Sequence, residues 1–313
     1  MCSAVATSDF DRWFVAWCQQ ELGATPIERL MATSRMAEVL GVRLDDGRIV
    51  VIKSRRDLTG RAKTCVTVQR YAADAGFPCA RPLTDVTYFD GLAVHAEQWR
   101  PGGEMLRGDS PVIAERSAGL YAQLGVIVEG LRLMPPLPNP EWVNWEHDGP
   151  GIWPPNERHD DRPRATQLPP PLVVIASRAR ARLAKPGHVP RVLGHADWEA
   201  QNLRWNADGP HAVHDWDSIA WLPEASLVGA ASGSFASAEV PTLAPMQSSE
   251  AFITAYEDAR GRAFTAEERE LAWAASLWPA LHNARGEFIW HSRAVALAEV
   301  LAQGEERLRR AGA

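Results

Sequence analysis

Apolar residues recur at helical spacing through residues 9–22, which predicts an amphipathic helix with Ser8 or Asp9 as its N-cap and Gly23 as its stop. The period then shortens. Residues 38–44 and 48–53 alternate as strands on either side of Asp45-Asp46-Gly47, a tight turn. A helical pattern returns over 62–75 and ends at Gly76, with Pro78 beyond it. Residues 82–87 and 92–98 read as two further strands joined by Phe89-Asp90-Gly91. The first 98 residues therefore predict a small α+β unit dominated by an antiparallel sheet.

Arg100-Pro101-Gly102-Gly103 breaks the composition and marks a hinge. Beyond it the pattern is mostly helical, over 110–130, 171–184, 248–260, 265–284 and 287–310. Residues 131–170 have almost no regular period but are rich in Pro and carry Trp142, Trp145 and Trp153. A loop of that length is usually functional or disordered, and large aromatics argue against disorder, so a packed insertion that covers or borders a site is expected. The predicted organisation is an N-lobe over 1–99, a hinge over 100–103 and a helical C-lobe over 104–313.

Composition narrows the function classes. The 313 residues suffice for two lobes, and 46% hydrophobic with 23% charged residues describes an ordinary globular protein. No apolar run approaches the roughly 18 residues that span a bilayer. The first residues lack the basic segment and apolar core of a secretory signal, so a cytoplasmic location is expected. A net charge of −6 without a dense Lys/Arg stripe argues against nucleic acid as the main partner. Cys2, Cys18, Cys65 and Cys79 are scattered and predict neither a zinc site nor a disulfide framework. Of the 13 tryptophans, Trp198, Trp205, Trp216 and Trp221 flank the segment with the richest chemistry.

That segment runs over 192–217. His195-Ala196-Asp197-Trp198-Glu199-Ala200-Gln201-Asn202 is followed by a turn at Asp208-Gly209 and by His214-Asp215-Trp216-Asp217, read as the end of a short strand over 211–217. Phosphoryl transfer needs a carboxylate within reach of an acceptor hydroxyl, oxygen ligands for Mg²⁺ and a cation on the phosphates. Asp197 and Asn202, five apart on a loop, can face one point, and a hairpin would return Asp215 beside Asn202. Asp215 and Asp217, two apart on a strand, would share a face. Two other readings use part of the set. His195, Asp197, His214 and Asp215 could ligate a hydrolytic metal, and Asp215-Trp216-Asp217 alone could hold the metal of a glycosyltransferase.

The order His-x-Asp-x-x-x-x-Asn, then Asp-x-Asp after a short hairpin, resembles the aminoglycoside phosphotransferase and choline kinase group, relatives of protein kinases. The resemblance covers roughly residues 25–300. It implies a two-lobed kinase-like α+β fold, with a small antiparallel-sheet N-lobe and a large helical C-lobe. It also implies an enzyme that uses ATP (or GTP) and Mg²⁺ to phosphorylate a hydroxyl of a small molecule, while charge and hydropathy argue against nucleic acid and membrane partners. By the same resemblance Asp197 is the base, Asn202 and Asp215 are metal ligands assisted by Asp217, and His195 braces the loop. Val50-Val51-Ile52-Lys53 is similar to the strand whose lysine binds phosphates. Gly76-Phe77-Pro78-Cys79-Ala80-Arg81-Pro82-Leu83 is similar to the stretch before the fourth strand, and Glu97-Gln98-Trp99-Arg100-Pro101-Gly102-Gly103 falls at the adenine-binding hinge, with Glu97, Gln98 and Trp99 as the nucleotide contacts.

Two positions depart from the family pattern. The loop over 31–36, where phosphates should be covered, has no glycine, and Ser34 is the residue that would contact them. The helix after Lys53 lacks the glutamate that should pair with it: Asp57 and Asp74 are the only acids between Lys53 and Ala80. Cys65 stands near that position and Gln69 one turn on. Either another carboxylate orients Lys53 or nucleotide handling differs, which keeps open a catalytically silent nucleotide-binding protein. For the acceptor, an aminoglycoside, an amino sugar or a metabolite alcohol, the candidate contacts are Trp198, Glu199, Asn283, Arg285 and Glu287.

Overall fold

Gly23 closes the first helix, α1 (Arg12–Leu22), in the left-handed conformation at φ 68°, its N–H bonded to the Gln19 carbonyl. The computed structural model describes residues 10–34, 37–89 and 91–313, so the predicted caps Ser8 and Asp9 lie outside the described residues. The chain divides after Gly102 into two compact units.

In the first unit, β1 (Pro26–Ser34), β2 (Glu38–Leu44) and β3 (Ile49–Arg56) precede α2 (Arg61–Asp74), and β4 (Thr87–Phe89) and β5 (Leu92–Gln98) follow it. The sheet is antiparallel in the order β1-β2-β3-β5-β4, so β5 crosses over to pair with β3. Strand alternation assigns the two faces. Leu40, Val42, Val50, Ile52, Val94 and Ala96 pack with Phe14, Trp17 and Cys18 of α1. Ala93 packs on Ala62 and Val66 of α2. Lys53 and Glu97 share the α2 parity.

Two expectations change here. Met31 and Ser34, expected in a phosphate-covering loop, belong to β1, a strand whose residues are largely exposed after Pro26 and carry no alternating signal. The strand expected over 82–87 reduces to a lone bridge from Pro82 to Glu97, and regular pairing begins at Thr87.

The second unit contains α3 (Pro111–Val128), α4 (Glu157–Asp160), α5 (Pro170–Leu183), β6 (Arg191–His195), β7 (Leu203–Asn206), β8 (Gly209–Val213), β9 (Ile219–Pro223), α6 (Glu224–Ser234), α7 (Met246–Arg260), α8 (Ala266–Trp290) and α9 (Ala296–Arg310). The long polar-interrupted tract over 265–310 breaks later than the sequence indicates. A capping box between Thr265 and Glu268 starts α8, the helix runs through Pro279 and Gly286, and it ends at His291 in the left-handed conformation. Helix α6 was not anticipated, because from Ala225 to Ser234 every residue is buried and no amphipathic period exists. It lies backbone to backbone on α8. A Cβ on Gly229 would sit 2.1 Å from the Ala272 carbonyl oxygen, and one on Gly233 would sit 2.0 Å from that of Ser276.

The Trp-rich stretch is packed. Trp145 and Trp153 lie against Trp278 of α8 with ring centroids 6.2 and 5.4 Å away, and the Arg180 guanidinium donates to the carbonyls of Trp145, His147 and Gly151. Among the described residues no helix is long and apolar enough to cross a membrane.

Candidate active site

Strand β6 delivers the segment with the richest chemistry, paired to β9 from Arg191↔Pro223 to His195↔Ile219. The ring of His195 is fully buried. It accepts the Asp197 N–H at Nδ1 (3.2 Å), which leaves the proton on Nε2, and Nε2 donates to the His214 carbonyl at 2.9 Å. Both nitrogens therefore hold the loop, and neither is placed to ligate a metal, which removes His195 from the hydrolytic-metal reading. Tyr121 Oη donates to the His195 carbonyl (2.9 Å) and Trp142 Nε1 to the Ala196 carbonyl (3.0 Å). Neither brace was anticipated, since nothing in the sequence pairs residues so far apart.

The main chain then turns through a short 3₁₀ segment, Ala200–Asn202, which brings Asn202 back onto Asp197. Asn202 Nδ2 donates to the Asp197 carboxylate at 2.7 Å and to its carbonyl at 2.9 Å. The amide nitrogen is thus committed to Asp197, and the side-chain oxygen Oδ1 is the atom left for a cation. Asp215 is returned beside them by the β7–β8 hairpin, where the His214 N–H bonds the Asn202 carbonyl.

The geometry differs here from the expected strand. Strand β8 stops at Val213, Asp215 stands in the left-handed conformation (φ 60°, ψ 51°), and residues 216–218 form a 3₁₀ turn. Asp215 and Asp217 therefore do not share a strand face. A non-glycine residue held there carries about 1–3 kcal/mol of strain, and such residues cluster at functional sites.

The electrostatics converge on the same point. Burial foremost, then the charges of Glu199 and Asp215, push the Asp197 carboxyl far above the usual carboxylate range, against an opposing bond from Asn202. Glu199 is pushed up to about 7, again by burial first and by Asp215, while the bond from Gln201 opposes the rise. Three acidic side chains close together, with Glu199 buried and Asp197 and Asp215 half-buried, favour a compensating positive charge. Among the described residues no three His, Cys, Asp or Glu side chains are placed to cage a metal. The donor set of Asn202 and Asp215 instead suits Mg²⁺, which binds through one or two carboxylates and completes its shell with water and phosphate oxygens.

In the first unit Lys53 has a carboxylate partner after all. Its Nζ lies 3.0 Å from Glu97 Oε1. Glu97 was expected in the nucleotide hinge, but both it and Gln98 still belong to β5, and the Glu97 side chain is buried beside Lys53. Trp99 lies against the bare face of Gly41, where a Cβ would stand 2.6 Å from its ring. Ser34 is exposed at the end of β1.

The proposed acceptor contacts divide. Trp198 is fully buried, donating to Ser117 Oγ and tilted on Tyr121, so it forms core and not a stacking surface. Glu287 accepts the N–H groups of Val295, Ala296 and Leu297 and thereby holds the start of α9, a structural task that removes it from substrate binding. Arg285 is buried, bonds Asp160 through Nη2 and stands over the Trp153 ring. Asn283 is half-buried on α8.

Comparison with known proteins identifies the family and the fold. A sequence profile of the phosphotransferase enzyme family matches residues 37–262. No curated protein sequence matches the chain significantly. Among solved structures, an amicoumacin kinase in complex with AMP-PNP and Ca²⁺ aligns with a TM-score of 0.63 at 10% identity, over 96% of this chain and 94% of that one. A spectinomycin phosphotransferase in complex with ADP and spectinomycin gives 0.55 at 12%, over 97% and 98%. An aminoglycoside phosphotransferase from Alicyclobacillus acidocaldarius gives 0.54 at 13%, over 94% of each chain. At these identities the likeness is one of fold: an antiparallel sheet followed by a helical region.

Proposed function

Because the chain belongs to the phosphotransferase enzyme family, we propose that it transfers the γ-phosphoryl group of ATP, or of GTP, to a hydroxyl of a small molecule with Mg²⁺ bound at Asn202 and Asp215. The observation that carries this reading is the convergence of Asp197, Asn202 and Asp215, joined by the 2.7 Å bond from Asn202 to Asp197. Asp197 accepts a hydrogen bond from the acceptor hydroxyl, orients it in line and takes its proton as the new P–O bond forms and the bond from the γ-phosphorus to the bridging oxygen breaks, that oxygen leaving on the nucleoside diphosphate. Asn202 and Asp215, with Asp217 in support, would hold Mg²⁺ through oxygen ligands, and the bound ion would supply charge neutralisation to the phosphate oxygens. Lys53 steadies the phosphates, the backbone around Glu97, Gln98 and Trp99 receives the base, and Ser34 contacts the phosphates. Positioning and electrostatics supply most of the rate, as in other phosphoryl transfers.

Glu199, Asn283 and Arg285 remain the side chains assigned to the acceptor, which is an aminoglycoside-like antibiotic, an amino sugar or a metabolite alcohol. The rival reading, a silent nucleotide-binding protein, was motivated by the missing partner of Lys53, and the Glu97 carboxylate takes away that motive.

The test is ADP release with Mg-ATP against a panel of aminoglycosides, amino sugars and small alcohols, with Asp197→Asn as control. Acceptor-dependent turnover that disappears in the variant supports the assignment, and turnover unchanged in the variant sinks it. Nucleotide binding without turnover on any acceptor favours the silent reading.

A further inference from the structure

Lys53 and Glu97 meet because of strand register. Strands β3 and β5 are hydrogen-bonded neighbours, Lys53 stands opposite His95 and Glu97 opposite Val51, so both side chains leave one face of the sheet a two-residue step apart. Both are buried, at 8% and 3% exposure. The second carboxylate oxygen of Glu97 accepts from Gln69 Nε2 at 2.8 Å, and the same amide nitrogen donates to the Ala80 carbonyl at 2.7 Å. Both carboxylate oxygens and both amide hydrogens are engaged, and buried groups bonded in this way favour one arrangement. Burial alone would raise the Glu97 carboxyl. The charge of Lys53 and then that of His95, with the bonds from Gln69 and Lys53, reverse the effect and hold it below the usual range.

We propose that Glu97 is the positioning residue for Lys53, holding its ammonium toward the nucleotide phosphates from a strand of the same sheet, with Gln69 linking helix α2 to that strand carboxylate. The inference rests on the nucleotide-binding role given to Lys53 above. In protein kinases the strand lysine pairs with a glutamate on the helix, so the position of the helix decides whether the lysine is competent. Here lysine and carboxylate sit on adjacent strands tied by main-chain hydrogen bonds, and α2 contributes only a neutral amide. The readiness of Lys53 is therefore a property of the sheet and does not follow movements of α2.

Steady-state kinetics with Mg-ATP varied, calorimetric binding of Mg-ATP, and unfolding midpoints test this on wild type, Glu97→Gln, and the swap Glu97→Gln with Gln69→Glu. The single variant should raise KM and Kd for ATP about tenfold while the KM for acceptor changes by less than about twofold. The swap, which returns a carboxylate to Lys53 from the helix, should recover most of the lost kcat/KM for ATP. Unchanged ATP parameters in Glu97→Gln overturn the proposal. So does an equal loss for ATP and acceptor that the swap leaves in place, since a structural defect behaves that way. If the single variant does not fold, the swap decides: Mg-ATP affinity within about threefold of wild type supports the proposal, and a folded swap that binds Mg-ATP more weakly than that overturns it. A wild-type protein that binds no Mg-ATP defeats the nucleotide reading and this inference together.

Discussion

Replacing Asp197 by Asn removes a carboxyl that burial first, and then the charges of Glu199 and Asp215, hold well above the usual carboxylate range. Turnover should fall about 10²–10⁴-fold, the usual contribution of a positioned base. The ligand-free protein should at the same time unfold at a higher temperature. A carboxyl raised in the folded state binds its proton more tightly there than in the unfolded chain, so stability declines as pH rises above the ordinary carboxylate range, and the variant should flatten that decline. Buried histidines act with the opposite slope. His95 and His282 are pushed down to about 3 by burial first, with added positive charge nearby, from 6.5 in the unfolded chain. As pH falls below about 6.5 the unfolded chain takes up protons first, and stability should drop by up to about 1.4 kcal/mol per pH unit per histidine until the folded groups titrate. Urea midpoints between neutral pH and about pH 5 measure this, and His95→Met should remove its share of the slope. At this scale the sequence points to residues whose type and spacing suit one chemistry, which is how Asp197, Asn202 and Asp215 became the candidate site. It does not disclose Glu97 as the partner of Lys53, because that pairing arises from a strand crossover between residues far apart in the chain.

At the scale of elements, α6 and α8 touch through glycine. Gly229→Ala or Gly233→Ala must push two backbones apart, and each should cost at least about 1–3 kcal/mol in denaturant unfolding. Gly119→Ala is the contrast. It lies on the exposed side of α3 with nothing within 4 Å of an added Cβ, and should stabilise by about 0.5–1 kcal/mol. The elements that were legible are those with one wet and one dry face, such as α1 and α2. Helix α6 has no wet face, β1 has little dry face, and both escaped a reading based on alternation. The polar run Asn283-Ala284-Arg285-Gly286-Glu287 suggested a break in α8. The helix continues because Arg285 finds Asp160 and Glu287 finds the start of α9.

At the scale of the whole molecule, a ligand that binds only the folded chain raises its stability by mass action, by about 2.7 kcal/mol at a hundredfold excess over Kd. Mg-ATP should therefore raise the unfolding temperature, and ATP with a chelator should give a much smaller shift. Equal shifts with and without the divalent ion would count against metal ligation by Asn202 and Asp215. The change from a sheet-forming to a helical period was visible along the chain, whereas the acceptor remained unread, because the packing of residues 131–170 depends on α5 and α8. The conformation of Asp215 has a consequence for how such a protein drifts over generations. A single base change converts an aspartate codon into one for asparagine or for glycine, residues that accept the left-handed region well, and either change also removes a charge from a crowded carboxylate group. If Asp215 holds Mg²⁺ as proposed, the most accessible mutations at this position make the fold more robust while silencing it. On that role, persistence of the aspartate among relatives would mark selection on turnover acting against that gradient.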